Sequence, residues 1–292
     1  MTTAGRLLLN ESMRRYTSWR VGGNADRLYM PAGLEDLQAF LKELPHGEPV
    51  HFVGLGSNLL VRDGGVRGTV VLMHDALTEM RFEGTSVYAE AGVTCAKMAK
   101  FAAREHLHGA EFLAGVPGTI GGALAMNAGC HGGETWDIVS RAITIDRHGH
   151  VHERSQVDVE VGYRHVSLPG EEWFVAAWFQ LHAGEASIAE EKIKALLAKR
   201  LATQPLNLPN AGSTFRNPEG DYAARLIEAC GLKGFRIGGA QVSEKHANFI
   251  VNLGDATADD IERLIAHMHD AVLQAHGVDL QREVKIIGER ER

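Results

Sequence analysis

The chain has 292 residues, 45% of them hydrophobic and 23% charged, the proportions of a globular protein of two or three domains with a sizeable core. Its formal net charge of −7 argues against a general nucleic-acid binder, and leaves room for a local basic pocket that takes one anionic small molecule. No stretch approaches the ~20 apolar residues of a membrane span, and the block Leu7 to Leu9 is too short for a signal peptide. The three widely spaced cysteines, Cys95, Cys130 and Cys230, show neither metal-ligand spacing nor a disulfide framework, so a cytoplasmic protein is expected.

The first predicted element is a helix in LEDLQAFLKEL (34–44), with Leu34, Leu37, Phe40, Leu41 and Leu44 on one face. A short strand follows at Val50 to Val53 and runs into the glycine turn Gly54-Leu55-Gly56-Ser57-Asn58. TVVLM (69–73) and SVYAEAG (86–92) read as strands, and CAKMAKFAAREH (95–106) as a helix whose alanines suit close packing. After a glycine-rich run come three strand-like segments, SRAITID (140–146), HVHERS (150–155) and WFVAAWFQLHA (173–183). SIAEEKIKALLAKRLATQ (187–204) reads as a helix stopped by Pro205.

PLNLPNAGSTFRNPEGD (205–221) is too long and too pointed for a plain connector. Beyond it are a helix in YAARLIEACG (222–231), a strand in ANFIVN (247–252), and a helix from the Thr257–Asp260 capping box to Gly277. That helix carries the stripe Ile261, Leu264, Ile265, Met268 and Val272. REVKIIG (282–288) reads as a terminal strand. Breaks in texture near residues 74 and 203–210 suggest domain edges.

Glycine, at 33 residues, exceeds its usual ~7% share. Seven of these glycines lie in EFLAGVPGTIGGALAMNAGCHGGE (111–134). Each loses more backbone freedom on folding than any other residue, so something needs bare backbone there. Helix–sheet packing is one explanation and the close approach of a ligand is the other. GLGSN (54–58) is likewise either an anion-binding nest or a tight turn. It is not the dinucleotide fingerprint of parallel-sheet folds, because Leu59 stands where a third glycine belongs. Two such stretches about 60 residues apart suit an extended dinucleotide, whose pyrophosphate and flat ring both want close backbone.

The pair GLGSN and GVPGTIGGALAMNAG resembles the FAD-binding domain of the vanillyl-alcohol-oxidase type. TSWRVGG (17–23), GYR (162–164), QPLNLPNAGSTFRNP (204–218), GLKGFRIGGAQVSEKHANFIVN (231–252) and EVKIIG (283–288) resemble the UDP-N-acetylenolpyruvoylglucosamine reductase family. They do so in the family's order and over nearly the whole chain. The resemblance implies an α+β fold: a two-part FAD-binding unit of vanillyl-alcohol-oxidase type plus a C-terminal α/β substrate-binding domain. The parts would be 1–73, rejoined by a strand from 278–292, then 74–203, then 204–277.

The implied reaction is peptidoglycan precursor synthesis. NADPH would reduce noncovalent FAD, and UDP-N-acetylglucosamine enolpyruvate would take hydride at C3 and a proton at C2 to give UDP-N-acetylmuramate. Hydride at C3 places negative charge at C2 beside a carboxylate, which asks for a cationic clamp and a proton donor. Ser213, Arg164 and Glu283 match the family's catalytic positions: proton donor, arginine grip and carboxyl group. Taken singly, they read more readily as a turn serine, a surface arginine and an edge-strand glutamate.

For FAD the matching positions are Gly54, Gly56, Ser57, Asn58, Gly115, Thr119, Gly121, Gly122 and Asn127, with Arg200 within reach of the cofactor phosphates. For substrate they are Asn217, Lys233, Gln241 and His246. No metal, membrane or nucleic-acid partner is implied, and a monomer is expected. Arg164-His165-Val166-Ser167-Leu168-Pro169-Gly170 runs straight on, so the chain looks like the shorter type without the loop that brings a tyrosine over the substrate. Two alternatives stand beside this: another FAD oxidase or dehydrogenase of the same fold acting on an alcohol or hydroxy acid, and a nucleotide-sugar-binding protein with no redox role.

Overall fold

The computed structural model describes residues 4–291. They form two compact units. The first takes the chain through Leu8, Leu28–Leu55 and Thr69–Arg200. The second takes Leu9–Arg27, Gly56–Gly68 and the chain from Leu201 on.

The first unit is built on a five-stranded antiparallel sheet. Its order is Val151–Ser155, Val139–Asp146, Glu172–Gln180, Ser86–Glu90, Met80–Glu83. The central strand reads EWFVAAWFQ, nearly all apolar, because it is buried on both faces. Four helices accompany the sheet: α1 (Leu34–Glu43), α2 (Cys95–Arg104), α3 (Ile120–Met126) and α4 (Ala186–Thr203), the last of which runs on into the second unit. Ala99, Ala102 and Ala103 of α2 and Ala123 of α3 share a core with Phe174, Ala177 and Phe179 of the central strand. Small side chains on those helices are what let them lie close to it.

On a second core, Val175 and Ile145 meet Leu37 and Leu41 of α1, each worth roughly 1.5–3 kcal/mol when buried. Further along, Tyr88 and Trp178 are roofed by cations instead of a helix. The Arg81 guanidinium lies 3.8 Å from the Tyr88 ring centre, and that of Arg141 lies 5.1 Å from the Trp178 ring.

The second unit holds a three-stranded antiparallel sheet, Arg236–Ile237, Ala240–Val242, Ile250–Asn252. It packs under α5 (Ala223–Ala229) and α6 (Ala258–His276). The apolar stripe of α6 is buried as its spacing requires, its Thr257–Asp260 capping box forms, and Gly277 ends it in the left-handed region at φ 68°. The Asp63 carboxylate adds to that cap, accepting from the N–H groups of Ala258 (3.1 Å) and Asp259 (2.9 Å). Three distant segments are knitted in here. Trp19 Nε1 donates to the Ile250 carbonyl at 2.8 Å, and Asn252 Nδ2 donates to the Trp19 carbonyl at 2.8 Å. Strand Lys285–Ile287 pairs in parallel with Leu59–Val61.

Several expected elements differ. The terminal strand begins at Lys285, so Glu283 precedes it. The strand expected over 247–252 is Ile250–Asn252, because Ala247 to Phe249 turn before it. Strands Arg6–Ser12 and Asn24–Met30 were not expected: their apolar and polar residues alternate too weakly to announce a buried face. The glycine run contains a helix, α3, that was not expected. Among the described residues no helix is long and apolar enough to cross a membrane.

Candidate active site

In the first unit a cavity of about 400 Å³ opens beside the glycine run. Phe52, Gly54, Thr119, Gly121, Gly122 and Trp173 are among its lining. That volume lies within the range of small-molecule sites. Thr119 caps α3, its Oγ1 accepting from Gly122 N at 3.4 Å. A Cβ on Gly54 would stand 2.4 Å from that hydroxyl, so the strand end and the helix start touch backbone to side chain. Phe52 and Trp173 stack with ring centres 4.5 Å apart.

The glycines turn out to serve two purposes. A Cβ on Gly121 would meet Ala91 Cβ at 2.9 Å, one on Gly115 would meet Cys130 Sγ at 2.6 Å, and one on Gly129 would meet the Gly133 carbonyl at 2.3 Å. Packing alone explains these three. Gly122 is different: a Cβ there meets nothing nearer than Thr119 Oγ1 at 3.8 Å. The first N–H groups of α3 are spent within the fold, Ile120 N on Val93 O (2.8 Å) and Gly121 N on Ala91 O (2.9 Å). What this wall offers a ligand is therefore close, flat approach over Gly122 and a hydroxyl at Thr119. Gly54, Thr119 and Gly122, all on the lining, are the residues that could hold part of a cofactor such as FAD here.

The far end of α3, about 10 Å away at 1.5 Å per residue, carries a second cluster. Asn127 ends the helix in the left-handed region, at φ 41°. Arg164 sits at the turn of the hairpin formed by Glu160–Gly162 and His165–Ser167, itself left-handed at φ 55°, a conformation that non-glycine residues hold at some cost. Its guanidinium donates to the carbonyls of Asn127 (3.2 Å) and Gly129 (2.7 Å), with the Glu134 carboxylate 3.5 Å away. Asn127 spends its side chain inside the protein: Nδ2 donates to Glu134 Oε2 (2.8 Å) and Gly162 O (3.2 Å), and Oδ1 accepts from Trp136 N (3.1 Å). Gly115 and Arg200 fall on this side as well: a Cβ on Gly115 would meet Cys130 Sγ at 2.6 Å, and Arg200 acts on the same thiol. Burial draws the Arg200 guanidinium below its usual value, opposed by the Cys130 thiol. Burial pushes that thiol up, and Arg200 and Arg164 pull it down.

The second unit brings Ser213 and Glu283 onto neighbouring segments. The Thr214 carbonyl accepts from Glu283 N at 2.9 Å, and Arg216 N donates to the Gln281 carbonyl at 2.8 Å. Gly212, just before the serine, is left-handed at φ 74°, and its N–H donates to Asn210 Oδ1 at 3.0 Å. Asn248, buried, pins the serine loop: its Oδ1 accepts from Phe215 N (3.0 Å), its Nδ2 donates to Phe215 O (2.8 Å), and its carbonyl accepts from Thr214 N (2.8 Å). Neither Asn210 nor Asn248 stood out in the sequence, although both lie in motifs that carried the resemblance.

Gly56, Ser57 and Asn58 of GLGSN also lie in this unit. Gly56 needs its positive φ of 61°, and a Cβ there would meet the Tyr16 carbonyl at 2.0 Å. Ser57 is half-buried beside it. Asn58 holds the glutamate segment, its Nδ2 donating to Glu283 O at 3.2 Å and its carbonyl accepting from Lys285 N at 3.0 Å.

The expected substrate residues divide. Asn217 is exposed and its Oδ1 accepts from Ala223 N at 3.1 Å, serving the start of α5. Lys233, Gln241 and His246 share one corner of the three-stranded sheet: Lys233 pairs with Glu228 at 2.7 Å, and Gln241 Nε2 donates to Gly234 O at 3.1 Å. Burial, with Lys233 adding to it, lowers the His246 pKa, so the ring is neutral near pH 7.

Known proteins point the same way. Residues 204–287 match the family model "UDP-N-acetylenolpyruvoylglucosamine reductase, C-terminal domain", and residues 25–155 match "FAD binding domain". A UDP-N-acetylenolpyruvoylglucosamine reductase of Thiobacillus denitrificans is 57% identical over 98% of this chain and 94% of its own. One of Alkalilimnicola ehrlichii is 59% identical over 98% of this chain and 96% of its own. The crystal structure of UDP-N-acetylenolpyruvylglucosamine reductase from Thermus caldophilus superimposes with a TM-score of 0.82 at 32% identity, covering 97% of this chain and 98% of that one. With relatives so similar along nearly its whole length, the chain belongs to the UDP-N-acetylenolpyruvoylglucosamine reductase family.

Proposed function

We propose that the protein reduces UDP-N-acetylglucosamine enolpyruvate to UDP-N-acetylmuramate, a step in peptidoglycan precursor synthesis, with FAD as cofactor and NADPH as reductant. The observation that carries this is the 57–59% identity to reductases of that name over 98% of the chain. The chemistry FAD supplies when bound is hydride transfer, in from NADPH and out to C3 of the enolpyruvyl ether. The residues supply the rest. Arg164, with its planar fork, grips the substrate carboxylate and offsets the charge that develops beside it. Ser213 gives its hydroxyl proton to C2. Glu283, one backbone hydrogen bond from the serine loop, is the carboxyl group of that proton relay. Asn217, Lys233, Gln241 and His246 bind the sugar nucleotide. Gly56, Ser57, Asn58, Gly115 and Arg200 join the cavity glycines in shaping the cofactor's surroundings.

With this reading go the two FAD-binding parts, 1–73 and 74–203, and the substrate part, 204–277. So do a cytoplasmic, monomeric enzyme and a role in cell-wall growth and division. The test is an anaerobic visible spectrum of the flavin-loaded protein, taken before NADPH, after one equivalent, and after UDP-N-acetylglucosamine enolpyruvate. The flavin band should bleach with NADPH and return only with the sugar. A band that bleaches and is not restored by the sugar would mean an oxidase-like enzyme of the same fold. No flavin uptake at all would overturn the cofactor assignment.

A further inference from the structure

We propose that Asn127 and Glu134 are positioning residues for Arg164: together they hold its guanidinium where the carboxylate of the enolpyruvyl substrate is gripped. This rests on the function proposed above. An asparagine at the left-handed end of a helix is ordinary, since it is one of the few L-residues that tolerates that backbone. The use made of its side chain is not. Both amide hydrogens and the amide oxygen are engaged, with Glu134, Gly162 and Trp136, and no hydrogen remains for a cofactor. Gly162 lies two residues before Arg164, so one amide ties the end of α3 to the base of the arginine hairpin. The Arg164 backbone is left-handed and needs that support to keep its aim.

Glu134 is a fixed post in the same brace. Its side chain caps the following short turn, while its own N–H donates to Asp137 Oδ2 at 2.9 Å. One carboxylate oxygen takes the Asn127 amide and the other faces Arg164 at 3.5 Å. At that distance, with the glutamate side chain 35% exposed, the pair is a solvated contact of modest strength. A substrate carboxylate, offering a closer two-point match to the guanidinium, displaces it. Meanwhile two of the arginine's N–H groups stay anchored on the carbonyls of Asn127 and Gly129. The brace therefore fixes the arginine in direction while leaving its charge available.

Anaerobic stopped-flow separates the two half-reactions of the flavin-loaded enzyme. Asn127→Gly keeps the left-handed backbone and deletes the amide. Glu134→Ala removes the post from the other side, so the idea remains testable if one variant folds poorly. In both, bleaching by NADPH should run at the wild-type rate, while reoxidation by the enolpyruvyl sugar should slow roughly 10- to 100-fold, the effect of misplacing a reacting group by about 1 Å. Glu134→Gln, which keeps an acceptor for Asn127, should restore reoxidation. The double variant should be no slower than the worse single one, as expected of residues in one network. Wild-type reoxidation in either single variant, equal slowing of both half-reactions, or no rescue by Glu134→Gln would overturn the proposal. If the wild-type enzyme itself is not reoxidised by the sugar, the proposed function fails and takes this inference with it.

Discussion

Adding one methyl group at either of two adjacent glycines should have opposite consequences. In Gly121→Ala the new Cβ stands 2.9 Å from Ala91 Cβ and 3.2 Å from the Ala91 carbonyl. Neither neighbour can rotate away, so α3 must lift from that segment. Overpacking of this kind costs about 1–3 kcal/mol, offset in part by the ~0.5–1 kcal/mol that alanine gains over glycine in a helix. A net loss of about 1–2 kcal/mol should lower the Tm of the flavin-free protein by several degrees, at ~2–4 °C per kcal/mol. In Gly122→Ala the nearest atom is 3.8 Å away, an ordinary contact. Here the helix gain stands alone, and the flavin-free protein should be as stable as wild type or more so by up to ~1 kcal/mol. That methyl lies on the lining of the 400 Å³ cavity, so FAD affinity should fall roughly tenfold or more. Thermal unfolding without FAD and a fluorescence titration with it measure the two quantities on the same samples. Equal destabilisation by both substitutions would refute the division of the glycines into packing and ligand-facing positions. Unchanged FAD affinity in Gly122→Ala would refute the cofactor wall.

Acid sensitivity should be traceable to Glu262 in the second unit. Arg62 meets this carboxylate through two bonds, 2.8 and 2.9 Å, and Arg290 adds a third at 3.0 Å. The Arg62 bonds, against some opposition from burial, bring its pKa from 4.5 down to about 2. A lowered carboxylate pKa means stability that is complete above the unfolded value and lost as pH falls through the folded one. Glu262→Gln should cost about 1–2 kcal/mol at pH 7, after allowance for solvent screening, and should flatten the loss between roughly pH 4.5 and 2. Urea midpoints across that range read it out, and identical pH slopes in the two proteins would remove Glu262 from the explanation. A chain ending at residue 278 lacks both Glu283 and the strand that pairs with Leu59–Val61. It should lose sugar turnover while the first unit keeps its fold by circular dichroism. Normal turnover would rule out Glu283.

Long, strongly periodic segments were legible in the sequence. The α6 capping box, its stripe and its terminal glycine declared both ends of that helix, and LEDLQAFLKEL showed the face that α1 buries. Elements whose reasons lie elsewhere in the chain were not. In IGGALAM the good helix formers Ala123 to Met126 make barely one turn, and the two glycines before them hide the start of the helix, where Gly121 lies against Ala91. The edge strand RLLLNES is exposed along most of its length, so no buried face patterns it. For the candidate site, the motifs carried a family resemblance but not the division of labour. Asn127 in MNAG spends its side chain on Glu134, Gly162 and Trp136, and Asn248, which looks like strand filler in ANFIVN, pins the serine loop. A side chain whose partners lie 33 or 35 residues away leaves no periodic trace.

The bond between Trp19 and Ile250 spans 231 residues of chain. During synthesis at ~5–20 residues per second, the indole therefore waits on the order of ten to fifty seconds for its partner to be made. Val21 and Leu60, in the same core, wait as well. The first unit draws its last residue from position 200 and can close earlier, so the second unit, begun at Leu9, is finished last. For that interval a tryptophan and its apolar neighbours are uncovered at the ribosome. The segment around Trp19, made early and covered late, is thus the one with most need of a chaperone, and a stalled ribosome would leave it exposed for as long as the stall lasts.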